Sequence, residues 1–248
     1  MAYDNGMSRK ISFIIDGYYH IYNRGTDKRI TFNDDQDYQR FIALLYLCNS
    51  TFAVDLREHF SEGSTFGEIF TLPRGEKIID IGEYCLMPNH FHLILHERIE
   101  GGISLFMQKL STGYTQYFNK RNKRTGSLFQ GRFQAKHADT DEYLKYLFAY
   151  VHLNPIKLID PEWKEKGIVD LKKSKEYLME YPYSSYYDFL KIKRPERVIL
   201  NTDAFPEYFK TERDFEEFIH DWLTYNKEFM DEKIDRESSI KVRGSIQE

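Results

Sequence analysis

Pro88-Asn89-His90-Phe91-His92-Leu93-Ile94-Leu95 decides how this chain is read. Two histidines flank one hydrophobic residue and run directly into an apolar stretch with strand character. Successive side chains of a β-strand point to opposite faces, so His90 and His92 project together with Phe91 behind them. Their Cβ atoms then stand roughly 6–7 Å apart, at a rise of about 3.3 Å per residue. Two imidazoles on rigid backbone can converge on one divalent ion. A pair of exposed strand histidines has the same pattern, so the surrounding sequence has to decide.

Upstream, Lys77 to Met87 reads as a strand, and Pro88-Asn89 as a tight turn joining it to the histidine strand in a hairpin. Ile11 to Asn23 is rich in β-branched and aromatic residues and reads as a first strand ending at Arg24-Gly25. Asp34 to Asn49 has helical spacing at Tyr38, Phe41, Ile42 and Leu45, with Asn33 or Asp34 as N-cap. Thr51 to Gly75 has mixed patterning. Ile103 to Asn119 is a second amphipathic helix, Ser127 to Ala138 a short strand-like run, and Asp141 to Leu153 a third helix. Pro155 stops that helix by disfavouring helical backbone at Asn154. The order strand, helix, strand, strand, helix, strand, helix predicts an α+β sandwich with an antiparallel sheet.

At 248 residues the chain can bury a full core without disulfide staples. Its two cysteines, Cys48 and Cys85, form no CxxC, which excludes a zinc ribbon or disulfide framework and suits a reducing cytoplasm. The longest apolar run, Phe41 to Cys48, is far short of the roughly 20 residues that span a bilayer. The N-terminal residues lack a signal-peptide pattern. The expectation is a soluble cytoplasmic protein.

Net charge is −4, which argues against a general nucleic-acid coat. The charge is nonetheless segregated. From Lys109 to Lys136 the bases Lys109, Lys120, Arg121, Lys123, Arg124, Arg132 and Lys136 occur with no acid between them. From Asp203 to Glu237, twelve acids face five bases. A local positive patch is what phosphate contact needs, whatever the global charge.

Tyr150 and Asn154 stand four residues apart on the third helix and so share a face. A phenol and a carboxamide one turn apart can reach one site. With nineteen tyrosines in the chain, spacing alone does not select Tyr150 over Tyr143 or Tyr146.

Four blocks occur in order: Tyr19-His20-Ile21-Tyr22-Asn23-Arg24-Gly25, Met87-Pro88-Asn89-His90-Phe91-His92, Leu128-Phe129-Gln130-Gly131-Arg132-Phe133, and Tyr150-Val151-His152-Leu153-Asn154-Pro155. Together they resemble the single-tyrosine HUH transposases, and within them the branch of REP-associated tyrosine transposases. The resemblance covers roughly residues 11 to 160. It implies a ferredoxin-like catalytic domain over residues 1–160, acting on single-stranded DNA that bears a hairpin or palindromic repeat. It identifies Tyr150 as the nucleophile that forms a 5′-phosphotyrosine. His90 and His92 correspond to the paired metal ligands, and Asn154 to the helix residue completing the site, where smaller members carry Gln. The ion would be a single Mg²⁺ or Mn²⁺. DNA contact is expected from Lys120, Arg121, Lys123, Arg124, Gln130 and Arg132. A homodimer is an open expectation, since small members of the family are dimers and REP-associated relatives can act alone. His20 reads as a structural or DNA-contacting residue.

Residues 161–248 exceed this core and are expected to form a mainly helical extension packed through Tyr183, Tyr186, Tyr187, Phe189, Phe215, Phe218 and Trp222. Two other functions fit the same residues. One is a metal-dependent phosphodiesterase that uses water and leaves Tyr150 structural; the other is a domesticated DNA-binding protein without transposition activity. A covalent protein–DNA adduct separates the first reading from both.

Overall fold

The computed structural model describes residues 12–52 and 65–224. The start of the expected first strand at Ile11, part of the Thr51–Gly75 connection and the chain beyond residue 224 lie outside the described residues. Four strands, β1 (Tyr18–Arg24), β2 (Asp80–Met87), β3 (His90–His96) and β4 (Gln134–His137), form one sheet in the order β2-β3-β1-β4. Every pairing is antiparallel. Helix α1 (Asp35–Leu47) connects β1 to β2, and α2 (Gly102–Arg121) connects β3 to β4. This βαββαβ order with β1 and β3 central is the ferredoxin-like arrangement. A third helix, α3 (Asp141–His152), follows β4.

Alternation along the strands divides the core into two layers. Tyr19, Ile21, Tyr84, Leu86, Phe91, Leu93 and Leu95 point to one face and pack with Phe41, Leu44 and Leu45 of α1 and Phe106, Leu110 and Tyr114 of α2. Cys85, Met87 and Ile94 point to the other and meet Leu144, Leu147, Phe148 and Val151 of α3. Each side chain of a buried strand therefore belongs to one helical layer or the other. His20, His90 and His92 fall on the α3 side.

Local chemistry sets the element ends. Asp34 caps α1 by accepting from Asp37 N at 3.3 Å, and Thr140 caps α3 by accepting from Tyr143 N at 3.2 Å. Pro88-Asn89 makes the expected β2–β3 turn. Two strands are shorter than their sequence suggests. Asp16 adopts φ 63°, so the backbone turns before Tyr18 and leaves Ile14 and Ile15 exposed. Within Ser127–Ala138 only four residues pair as β4, because Gly131 at φ 66° bends the chain after an isolated bridge from Phe129 to Gly25.

Beyond residue 160 come α4 (Trp163–Lys166), α5 (Leu171–Glu180), α6 (Tyr186–Phe189) and α7 (Glu212–Thr224). Trp163, Leu178, Tyr186, Phe215, Ile219 and Leu223 are buried against Ala149, Leu153 and Ile156, with Tyr187, Phe189, Phe218 and Trp222 alongside. This segment also completes the sheet. Leu86 N donates to Tyr183 O at 2.9 Å, Tyr181 Oη donates to Leu86 O, and Ser184 bridges Cys85. An otherwise open β2 edge is thereby covered. Among the described residues no helix is long and apolar enough to cross a membrane.

Candidate active site

Antiparallel register builds the site. Tyr22 lies opposite His92 and Arg24 opposite His90, so β1 brings His20 and Tyr22 onto the same face as the histidine pair. The rings of His90 and His92 stand 5.0 Å apart, centroid to centroid, and nearly perpendicular. From the opposite layer α3 lowers Tyr150 onto them. Its ring lies edge-on at 5.6 Å from both His20 and His92. Tyr146, one turn earlier, sits 5.9 Å from Tyr150, and Tyr143 stacks on Tyr146 at 6.0 Å. Tyr150 is thus the tyrosine of α3 that meets the histidines.

Each histidine has one nitrogen engaged. His90 Nδ1 lies 2.7 Å from Asn89 Oδ1, an acceptor, so Nδ1 carries the proton and Nε2 the lone pair. His92 Nδ1 lies 2.9 Å from His20 Nε2. If His92 offers Nε2 as a ligand, its proton sits on Nδ1 and His20 accepts, with the His20 proton on Nδ1. Burial holds the pair in the uncharged form that a metal requires: His90 falls to about 4 and His92 well below its ordinary value, chiefly through desolvation. Desolvation also lowers His20 to about 3. Nearby Lys157 and Lys164 push His90 and His92 the same way.

Asn154 is buried just past α3, where its Nδ2 donates to Tyr150 O at 2.7 Å and satisfies a carbonyl left over at the helix end. Its Oδ1 is the remaining donor atom. Among the described residues no group of three His, Cys, Asp or Glu is placed to hold a metal. Two imidazole nitrogens with uncharged rings and fixed partners nevertheless match one borderline-to-hard divalent ion, and amide oxygen is an apt third donor.

The phenol of Tyr150 is partly buried, and desolvation followed by Tyr22 raises its pKa. Its other neighbour is not legible from the order of residues. Lys164 of α4 holds its Nζ 3.8 Å above the Tyr150 ring centroid. Lys164 belongs to a run, Glu162-Trp163-Lys164-Glu165-Lys166, that reads as an ordinary mixed-charge surface. Only the burial of Trp163 turns it inward.

The other motif blocks meet at the His90 end of the sheet. Arg24 Nε donates to Gln130 Oε1 at 3.0 Å, Gln130 N to Arg24 O at 2.8 Å, and Asn23 Nδ2 to Gly131 O at 3.4 Å. Gln130 and Arg132 are thereby carried on a loop clasped to β1, and Arg132 is exposed. The basic run is divided. Lys120 and Lys123 are exposed at the end of α2. Arg121 instead pairs with Asp34 and Asp37 of α1, with Nη1–Oδ1 of Asp34 at 2.7 Å. Arg124 Nη1 donates to Asn119 Oδ1 at 2.7 Å. The run has no acid in sequence, yet Arg121 receives its counter-charges from a helix some eighty residues away.

His152 turns away from Tyr150 into the interior. Its Nδ1 donates to Phe148 O at 3.0 Å, and Nε2 meets Ser185 Oγ at 3.0 Å. Nδ1 also lies 2.7 Å from Glu83 Oε1. Both groups are fully buried; desolvation raises Glu83 and lowers His152 to about 3, leaving both uncharged.

No curated protein matches the chain. A solved REP-associated tyrosine transposase bound to a REP hairpin aligns with 77% of this chain and 90% of its own, at 13% identity and a TM-score of 0.46. Residues 61–154 match the family described as Transposase IS200 like, a span that contains β2, β3, α2, β4 and α3 with His90, His92, Tyr150 and Asn154. Through those residues the chain is similar to the IS200-like transposase family.

Proposed function

We propose that this protein cuts and rejoins single-stranded DNA beside a hairpin or palindromic repeat, with Tyr150 as the covalent nucleophile. The observation that carries this reading is the Tyr150 ring seated 5.6 Å from His92, on the sheet face that His90 shares. His90 and His92 through Nε2, with Asn154 Oδ1, are the residues that would hold one Mg²⁺ or Mn²⁺. Such an ion supplies Lewis-acid polarisation of a phosphate oxygen when bound.

Tyr150 Oη attacks phosphorus as the bond to the 3′ oxygen breaks, forming a 5′-phosphotyrosine. The phenolic proton is given up and the departing 3′ oxygen gains one, so protons balance and a free 3′-hydroxyl remains. The ester keeps the bond energy, and attack by another 3′-hydroxyl reverses the step without a nucleotide cofactor. His20 fixes the orientation of His92, and Gln130, Arg132, Lys120 and Lys123 line the route of the DNA. Nucleophile and histidines meet within one chain, so one protomer suffices for the chemistry and a homodimer is not needed to complete the site. A cytoplasmic location suits this substrate.

The test is incubation with Mn²⁺ and hairpin-bearing single strands taken from the DNA flanking the gene, followed by denaturing electrophoresis. The expected product is a protein–DNA adduct that Tyr150→Phe abolishes. Cleavage without an adduct would assign the attack to water.

A further inference from the structure

Lys164 has the surroundings of an anion-binding group, and among the described residues none pairs with it as the anion. It lies beyond residue 160, in the single turn Trp163–Lys166. Trp163 anchors that turn: its side chain is buried among residues of α3, α5, α6 and α7. Lys164, next in sequence, is directed back over α3, where Nζ lies 3.8 Å from the Tyr150 ring and 5.5 Å from the Trp163 ring. Lys166 pairs with Glu162 at 2.6 Å. Lys164 makes no ion pair among the described residues.

Its nearest charges are Lys157, which repels it, and Glu165, which attracts it more weakly. Burial followed by Lys157 draws its pKa down to about 7. A cation pressed into a partly dry site beside a second cation is destabilised until an anion arrives. Aromatic contact with Tyr150 offsets only part of this.

We propose that Lys164, seconded by Lys157, is a phosphate-contacting residue that the C-terminal extension contributes to the active site, gripping the scissile phosphodiester above Tyr150. A phosphate within reach of Tyr150 Oη and of the two histidines lies under Lys164 as well. The ammonium supplies the charge that neutral histidines cannot, and its hold on the ring keeps the phenol in place before DNA binds. The extension thereby has a role in the reaction as well as in covering the sheet edge. This inference rests on the reading of Tyr150 as nucleophile, yet it is tested separately, by binding.

The experiment uses the full-length chain carrying Tyr150→Phe, so that nothing is cut, in EDTA. Affinity is measured for a set of hairpin oligonucleotides, each with one neutral methylphosphonate linkage at a successive position of the single-stranded flank. Lys164→Met and Lys164→Arg are compared with the parent. At one linkage, Lys164→Met should weaken binding of the ordinary phosphate about tenfold and leave binding of the methylphosphonate unchanged, and Lys164→Arg should restore most of the loss. Thermal unfolding of each variant identifies any that is misfolded, and Lys164→Gln then replaces it in the same cycle. Equal loss at every linkage, or no loss, overturns the proposal, whatever the adduct assay gives. Conversely, coupling at one linkage with no adduct from the wild-type chain would uphold the phosphate contact and reject Tyr150 as nucleophile.

Discussion

His20 Nε2 lies 2.9 Å from His92 Nδ1, so the histidine of β1 holds the ring of the β3 histidine in place. Both rings are buried, so water cannot take over this bond. Replacing His20 by Ala should weaken Mn²⁺ binding by about 10- to 100-fold, the usual cost of losing an outer-shell partner. Titration calorimetry on the folded variant checks this. Unchanged affinity would mean that His92 orients itself.

Tyr150 and Phe differ by one hydroxyl, and the Tyr150 hydroxyl makes no hydrogen bond among the described residues. Tyr150→Phe should therefore change stability by no more than about 0.5 kcal/mol while removing all adduct. Tyr143→Phe and Tyr146→Phe, on the same helix, should still form it. Adduct from the Tyr150→Phe protein would move the nucleophile elsewhere.

The basic run should separate into two behaviours. Lys120→Gln with Lys123→Gln should make the salt dependence of DNA affinity shallower by up to about two in the log–log slope, with stability unchanged. Arg121→Ala should instead cost on the order of 2 kcal/mol. Asp37 is fully buried and would keep only the bonds from Asn33 N and Tyr117 Oη, both at 2.9 Å. Urea denaturation measures the second effect. A stable Arg121→Ala protein with an altered salt slope would restore Arg121 to the DNA surface.

Glu83 and His152 give stability a pH signature. In the folded protein Glu83 keeps its proton, because burial raises its pKa, and His152 stays neutral, because burial lowers its pKa to about 3. Unfolded, they titrate near 4.5 and 6.5. Above pH 6.5, up to the raised pKa of Glu83, the folded state holds one proton more than the unfolded chain, so this pair loses stability as pH rises. Between 4.5 and 6.5 the counts match. Below 4.5 the unfolded chain holds one more, and stability falls as pH falls towards 3. Glu83→Gln removes the carboxyl, so its stability relative to wild type should grow by about 1.4 kcal/mol per pH unit above 4.5, up to the folded pKa of Glu83. Parallel stability curves between pH 6 and 9 would show an ionised Glu83.

What could be read along the chain was whatever depends on neighbours in sequence. Alternation put His90 and His92 on one face, Pro88-Asn89 marked the hairpin, and helical spacing located α1 and α3. The βαββαβ order followed, because period and turn chemistry are local properties of the backbone. Spacing also paired Tyr150 with Asn154, although choosing Tyr150 among nineteen tyrosines took the order of the four motif blocks. Tertiary structure decided everything that depends on partners far along the chain. The β1–β3 register made His20 the companion of His92, and α1 supplied the acids that bind Arg121. The burial of Trp163 swung Lys164 over the Tyr150 ring. Side chains in the primary sequence carry their charge and shape but not their environment, and the environment is what distinguishes a surface lysine from one held against a tyrosine ring.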